Sequence, residues 1–122
     1  MSKIYQPIKN NPYRLRDSVY PFIVWLIRDV ARDDMGYFND EYMQKYKPPV
    51  KHIEAVNTAL QEIPEKYRQV IYDNVAFEKA LPAGYRGKQT TLIKAKFIYR
   101  VAELLDRPLG AKEIIHVEYD WR

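Results

Sequence analysis

In four stretches of this chain, apolar residues recur at intervals of three and four, and prolines or glycines stand between the stretches. That spacing stacks side chains on one side of an α-helix, whereas a half-buried strand alternates. In the first stretch Val19, Phe22, Ile23, Leu26 and Val30 share a face that Trp25 and Ile27 widen. The predicted helix takes Asp17 or Ser18 as N-cap and tolerates Pro21 in its first turn, where a missing N–H costs nothing. It ends near Arg32-Asp33-Asp34, ahead of Gly36, and these acids are poorly placed for the negative end of a helix dipole. The second stretch, Val50 to Glu62, lines up Val50, Ile53, Val56, Leu60 and Ile63. Pro64 then breaks the run and opens a third helix, PEKYRQVIYDNVAFEKA. It turns Tyr67, Val70, Ile71 and Val75 inward and leaves Lys66, Arg68, Gln69 and Asp73 mostly outside.

The fourth helix, from about Lys88 to Asp106, has Thr90 or Thr91 as its cap and is stopped by Pro108 and Gly110. Residues 86–100, RGKQTTLIKAKFIYR, hold five positive charges and no negative one. Ile93, Phe97, Val101, Leu104 and Leu105 form one apolar side, and Leu92, Ala95, Tyr99 and Ala102 a second. A helix this apolar is gripped by neighbours on both sides, leaving a narrow ridge of Gln89, Lys96, Arg100, Glu103 and Arg107.

Between the helices, residues 37–49 (YFNDEYMQKYKPP) read as one short helix capped by Asn39 and ended by Pro48-Pro49. Tyr37, Phe38, Tyr42 and Tyr46 either cover an edge of the core or form a stacking platform for bases. The segment LPAGYRG reads as a turn or loop. In the tail KEIIHVEYDWR, Ile115, Val117, Tyr119 and Trp121 alternate with polar neighbours, which predicts a strand paired either with the N-terminal KIYQPI segment or across a homodimer axis. The expectation is therefore a mainly α fold, a compact bundle of four to five helices with a divergent helix-turn-helix and a short C-terminal β-strand. Residues 1–16 form a basic extended arm, 17–107 the helical domain and 108–122 the strand or tail. A length of 122 residues with 47% hydrophobic content suits one such domain.

Residues for chemistry are sparse. With no cysteine, thiolate zinc sites and a cysteine nucleophile are ruled out. His52 and His116 never meet a metal-ligand spacing, the four glycines form no phosphate loop, and Ser2 and Ser18 lie in no nucleophile motif. The acids Asp33-Asp34 and Asp40-Glu41 read as solvated. The expectation is a non-enzyme without cofactor or metal. The longest apolar run, PFIVWLI, is too short to cross a bilayer, and the first 16 residues lack a signal-length apolar stretch, so a soluble cytoplasmic protein is expected.

Charge points to a partner. The net charge is +4 and the pI about 9.2. Residues 1–16 carry Lys3, Lys9, Arg14 and Arg16 with no acid, and residues 84–107 carry six basic residues against Glu103 and Asp106. Two basic regions on an acidic remainder are the footprint of a polyanion-binding protein.

The segment QEIPEKYRQVIYDNV at 61–75 resembles the opening of the helix-turn-helix in bacterial sigma factor region four. The order of a hydrophobic first helix ending IRDVAR, a spacer, IPEKYRQVIYDNV, a Pro/Gly loop and the basic helix TLIKAKFIYRVAELL is similar to small proteins of phages and prophages of Gram-positive bacteria. These are distantly related to late-gene transcription activators of the RinA and ArpU type. The resemblance covers roughly residues 17–105. It implies a phage transcription regulator in the bacterial host cytoplasm, reading double-stranded DNA with its fourth helix. About a dozen residues, 76–89, separate the two helices of that motif, and a short helix around Ala76 to Leu81 would restore a tri-helical arrangement.

Under that resemblance the DNA contacts are Arg86, Lys88, Gln89, Thr91, Lys94, Lys96, Arg100 and Arg68. Gln89 would read an adenine edge and Arg86 or Lys88 a guanine, each bidentate pair worth roughly 1 to 3 kcal/mol of discrimination, with Arg100 and Arg68 on phosphates. A different class of function is also open: a phage protein-interaction module that inhibits or adapts a host nucleic-acid enzyme, either RNA polymerase or a CRISPR-type defence effector. The tyrosine-rich segment, Trp121 and the second apolar side of helix 4 suit such a partner.

Overall fold

The computed structural model describes residues 13–105. Four α-helices form the body: α1 (Val19–Asp34), α2 (Val50–Gln61), α3 (Glu65–Phe77) and α4 (Lys88–Leu104), with one 3₁₀ turn at Glu41–Tyr46. Each helix touches the other three, α2 lying most extensively on α4 and α1 on α3. The mainly helical bundle is as expected. No strand occurs among the described residues, and the predicted C-terminal strand lies outside them, as do Arg107 and residues 1–12 of the basic arm.

Leu15, Ile27, Ile71, Ile98 and Val101 are fully enclosed in one core fed by all four helices. Leu15 belongs to the end of the predicted arm, so residues 13–16 join the body rather than the arm. The carbonyl of Arg16 accepts from the N–H groups of Val19 (2.9 Å) and Tyr20 (3.0 Å); of the two expected caps, Asp17 or Ser18, Ser18 holds the N-cap position but makes no side-chain cap hydrogen bond.

The buried side of α1 centres on Ile23 and Ile27 and includes Tyr20, Val24 and Ala31. Phe22 and Trp25, expected inside, are 50% and 39% exposed. They lie past the edge of that arc, and Trp25 is shielded instead by the guanidinium groups of Arg28 and Arg32, 5.0 and 5.6 Å from its ring centre.

Asp40, not Asn39, caps the 3₁₀ turn, its carboxylate accepting from the Tyr42 N–H at 2.7 Å. Phe38 is buried while Tyr37, Tyr42 and Tyr46 stay in solvent, so only one of the four aromatics covers the core. Val50, expected on the inner stripe of α2, is also exposed. The buried residues of α2 are Ala55, Val56 and Ala59, and the small alanines permit close approach to α4, which buries Ala95 and Ala102.

α3 stops at Phe77, three residues short of its predicted end. Glu78 adopts a left-handed conformation (φ 56°), and Asn74 Nδ2 donates to the Lys79 carbonyl at 2.7 Å, which turns the chain out of the helix. No helix forms around Ala76 to Leu81 beyond this end, so the tri-helical variant is absent. Residues 78–87 form an irregular connector in place of the short turn of a helix-turn-helix. The connector folds back over α3, because the ring of Tyr85 sits edge-on to Tyr67 in the first turn, 5.7 Å between centres.

On α4 the deepest stripe is Phe97, Ile98, Val101, Ala102 and Leu105. Thr90, expected as a cap, is instead the one polar residue buried among those described. Ile93, Leu92 and Tyr99, expected inside, are only half-buried.

Candidate nucleic-acid interface

The start of α4 is open. Gly87 holds the N-cap position in extended conformation with no side-chain cap, and a methyl group placed on it would meet nothing within 4 Å. The first-turn N–H groups of a helix carry partial positive charge and favour anions when no side chain satisfies them. Cations surround this end. Lys88 and Gln89 are exposed with no carboxylate partner among the described residues, where Arg86, also exposed, engages only its Nε, donating to the Leu81 carbonyl at 2.9 Å. The Tyr67–Tyr85 pair extends the patch to Lys66, whose Nζ lies 5.3 Å from the Tyr67 ring centre. Further along the outer side of α4, seven residues after Gln89, Lys96 is exposed and lies 6.0 Å from the ring of Tyr13.

The other four expected contacts are engaged elsewhere. Thr91 Oγ1 donates to the Gly87 carbonyl at 3.3 Å, closing the first turn. Lys94 is half-buried, and burial, reinforced by the charge of Arg28 on α1, holds its ammonium below the usual lysine pKa. Arg28 itself donates from Nε to the Val75 carbonyl at 3.0 Å and lies 3.9 Å from Glu78. Arg68 donates to the carbonyls of Leu60, Gln61 and Ile63 at 3.1, 3.2 and 3.0 Å, capping the C-terminal end of α2.

Arg100 binds both oxygens of Glu62 and also reaches Glu103 at 3.1 Å. The hydrogen bond to Glu62 is the main cause of its raised pKa. The outer side of α4 is thus cationic in its first half and neutralised in its second.

Of the eight predicted contacts, the structure brings Arg86, Lys88 and Gln89 together at one helix end and places Lys96 on the same side. It adds Lys66, Tyr67 and Tyr85, which sequence reasoning did not select. The string GYRGK hints at Tyr85 as part of the cationic start, but no spacing rule links it to Tyr67, eighteen residues upstream and on α3.

Among the described residues no group of three or more His, Cys, Asp or Glu is arranged to hold a metal, and no helix is long and apolar enough to cross a membrane. Comparison with protein-family models, curated proteins and solved structures returns no significant match.

Proposed function

We propose that this chain binds double-stranded DNA through the start of α4, as a transcription regulator of a phage or prophage. The observation that carries this reading is the uncapped start of α4, where Arg86, Lys88 and Gln89 stand in solvent without a carboxylate partner among the described residues. Phosphates neutralise such a cluster, and counterion release supplies the affinity. The contact set is smaller than the resemblance implied: Arg86, Lys88, Gln89 and Lys96, with Lys66 beside them. Gln89 and Arg86 are the groups on it that read base edges bidentately.

A second reading, a module that binds a host nucleic-acid enzyme, draws support from one observation. Met35, Tyr37, Tyr42, Tyr46 and Val50 are all exposed within one stretch of chain, Tyr42 at 74%. Large apolar groups grouped on a surface favour a protein partner.

Binding of labelled random duplex DNA across a salt series separates the two. DNA binding predicts a linear loss of log affinity with log salt, about 0.9 per phosphate contacted, that flattens in Arg86→Ala plus Lys88→Ala. No association at low salt removes the DNA reading and leaves the protein partner.

A further inference from the structure

Between the C-terminal half of α1 and the paired helices α2 and α3 lies a cleft of about 230 Å³. Its floor is aliphatic, formed by Val30, Ile53 and Leu60. Its rim toward the end of α1 carries Asp34 and Tyr72, and Arg68 stands where α2 ends. A concave apolar floor with a few polar groups converging on it is the usual form of a small-ligand site.

The charges around it are unevenly matched. A helix C-terminus carries partial negative charge, and α1 ends on two acids. Asp33 is satisfied by an ammonium, Lys47 Nζ at 2.6 Å. The neighbouring Asp34 carboxylate has no ion pair or hydrogen bond among the described residues, and the one basic residue of that last turn, Arg32, is held by Asp29 at 2.9 Å. At the far side Arg68 is held by three backbone carbonyls through Nε and Nη2; it keeps its positive charge and makes no ion pair with Asp34 among the described residues. Burial pushes the Tyr72 phenol up, with the charges of Asp34 and then Asp73 adding to it, which places Tyr72 in the field of the unmatched carboxylate.

We propose that this cleft binds a primary ammonium on an aliphatic stem, the charged end on Asp34 and the stem along Val30, Ile53 and Leu60. Lys47 on Asp33 already shows this chemistry one residue away. The same group is offered by a free alkylamine or diamine and by a lysine side chain of another protein.

Methyl-resolved NMR titration of the full chain tests it, with n-butylammonium chloride as probe and ammonium chloride and butanol as controls. The expected result is saturable movement of the Val30, Ile53 and Leu60 methyl signals with butylammonium and with neither control. Asp34→Asn, an exposed and fold-neutral change, weakens binding roughly fivefold, as loss of a partly exposed ion pair does, and Ile53→Ala weakens it as well. Putrescine and a blocked lysine amide then distinguish the sources: preference for the diamine marks a small-molecule site, and equal or better binding of the lysine amide marks a partner's side chain. Absence of cleft-methyl movement at millimolar butylammonium, or unchanged binding in Asp34→Asn, overturns the proposal.

Discussion

Arg100 and Glu62, thirty-eight residues apart, face each other as a two-pronged ion pair, with Nε 2.8 Å and Nη2 3.2 Å from the two carboxylate oxygens. The pair ties the outer side of α4 to the end of α2. It also cancels a cation that the ridge of α4 would otherwise present to phosphates.

Arg100→Ala is therefore expected to act on stability more than on DNA. A partly exposed pair of this kind contributes roughly 0.2 to 1 kcal/mol, read as a small drop in the denaturant midpoint. The salt slope of DNA binding stays unchanged, whereas Lys88→Ala lowers it by about 0.9. Equal losses of slope in both variants would show that Arg100 reaches phosphate despite Glu62.

Lys94 predicts the opposite kind of outcome. Its folded-state pKa is depressed, so the unfolded chain binds the proton more tightly, and at neutral pH the folded state bears the whole cost of the half-buried charge. That cost is relieved as pH climbs from the lowered folded-state value to the ordinary lysine pKa, and is gone above it. Lys94→Met keeps the bulk and removes the charge. It is expected to stabilise the fold by about 1 kcal/mol, the low end for a desolvated polar group, seen as a rise in Tm of roughly 4 to 8 °C. DNA affinity should hardly change.

Tyr20 sets the alkaline limit. Burial raises its phenol to about 12, against a lesser lowering by Arg28. The folded state keeps this proton where the unfolded chain loses it, so stability falls as pH climbs from the ordinary tyrosine value toward the folded one. Absorbance titration at about 295 nm should show a late phenolate phase that is missing in Tyr20→Phe.

His52 governs part of the acid side. Burial lowers its pKa, opposed by the charge of Asp29 and aided by that of Lys51. Unfolded chains then take up the proton first, and stability drops as pH falls below the ordinary histidine value toward the folded one. Denaturant midpoints measured from pH 7 down to 5 should decline less steeply in His52→Gln.

Helix existence was legible from spacing alone, because Ile23, Leu26, Val30, Ile71, Val75, Phe97 and Val101 keep the same period that the folded core uses. Helix faces were less so. Phe22 and Trp25 are as hydrophobic as their neighbours, and only the positions of α2 and α3 decide that they fall outside the contact arc.

The candidate site was read in part. Arg86, Lys88 and Gln89 are local to one helix end, so their grouping follows from sequence. The fates of Arg68, Lys94 and Arg100 depend on Leu60, Arg28 and Glu62, which lie on other helices. Charge counting along a chain treats every cation as free; tertiary partners decide which ones are.

Arg68 has a consequence for how the chain tolerates being cut. Its guanidinium grips three carbonyls five to eight residues upstream, so the α2–α3 hairpin carries its own fastening within a short length of polypeptide. A circular permutant with new ends in the 78–87 connector keeps that fastening whole. One opened at Ile63–Pro64 separates the grip from what it holds.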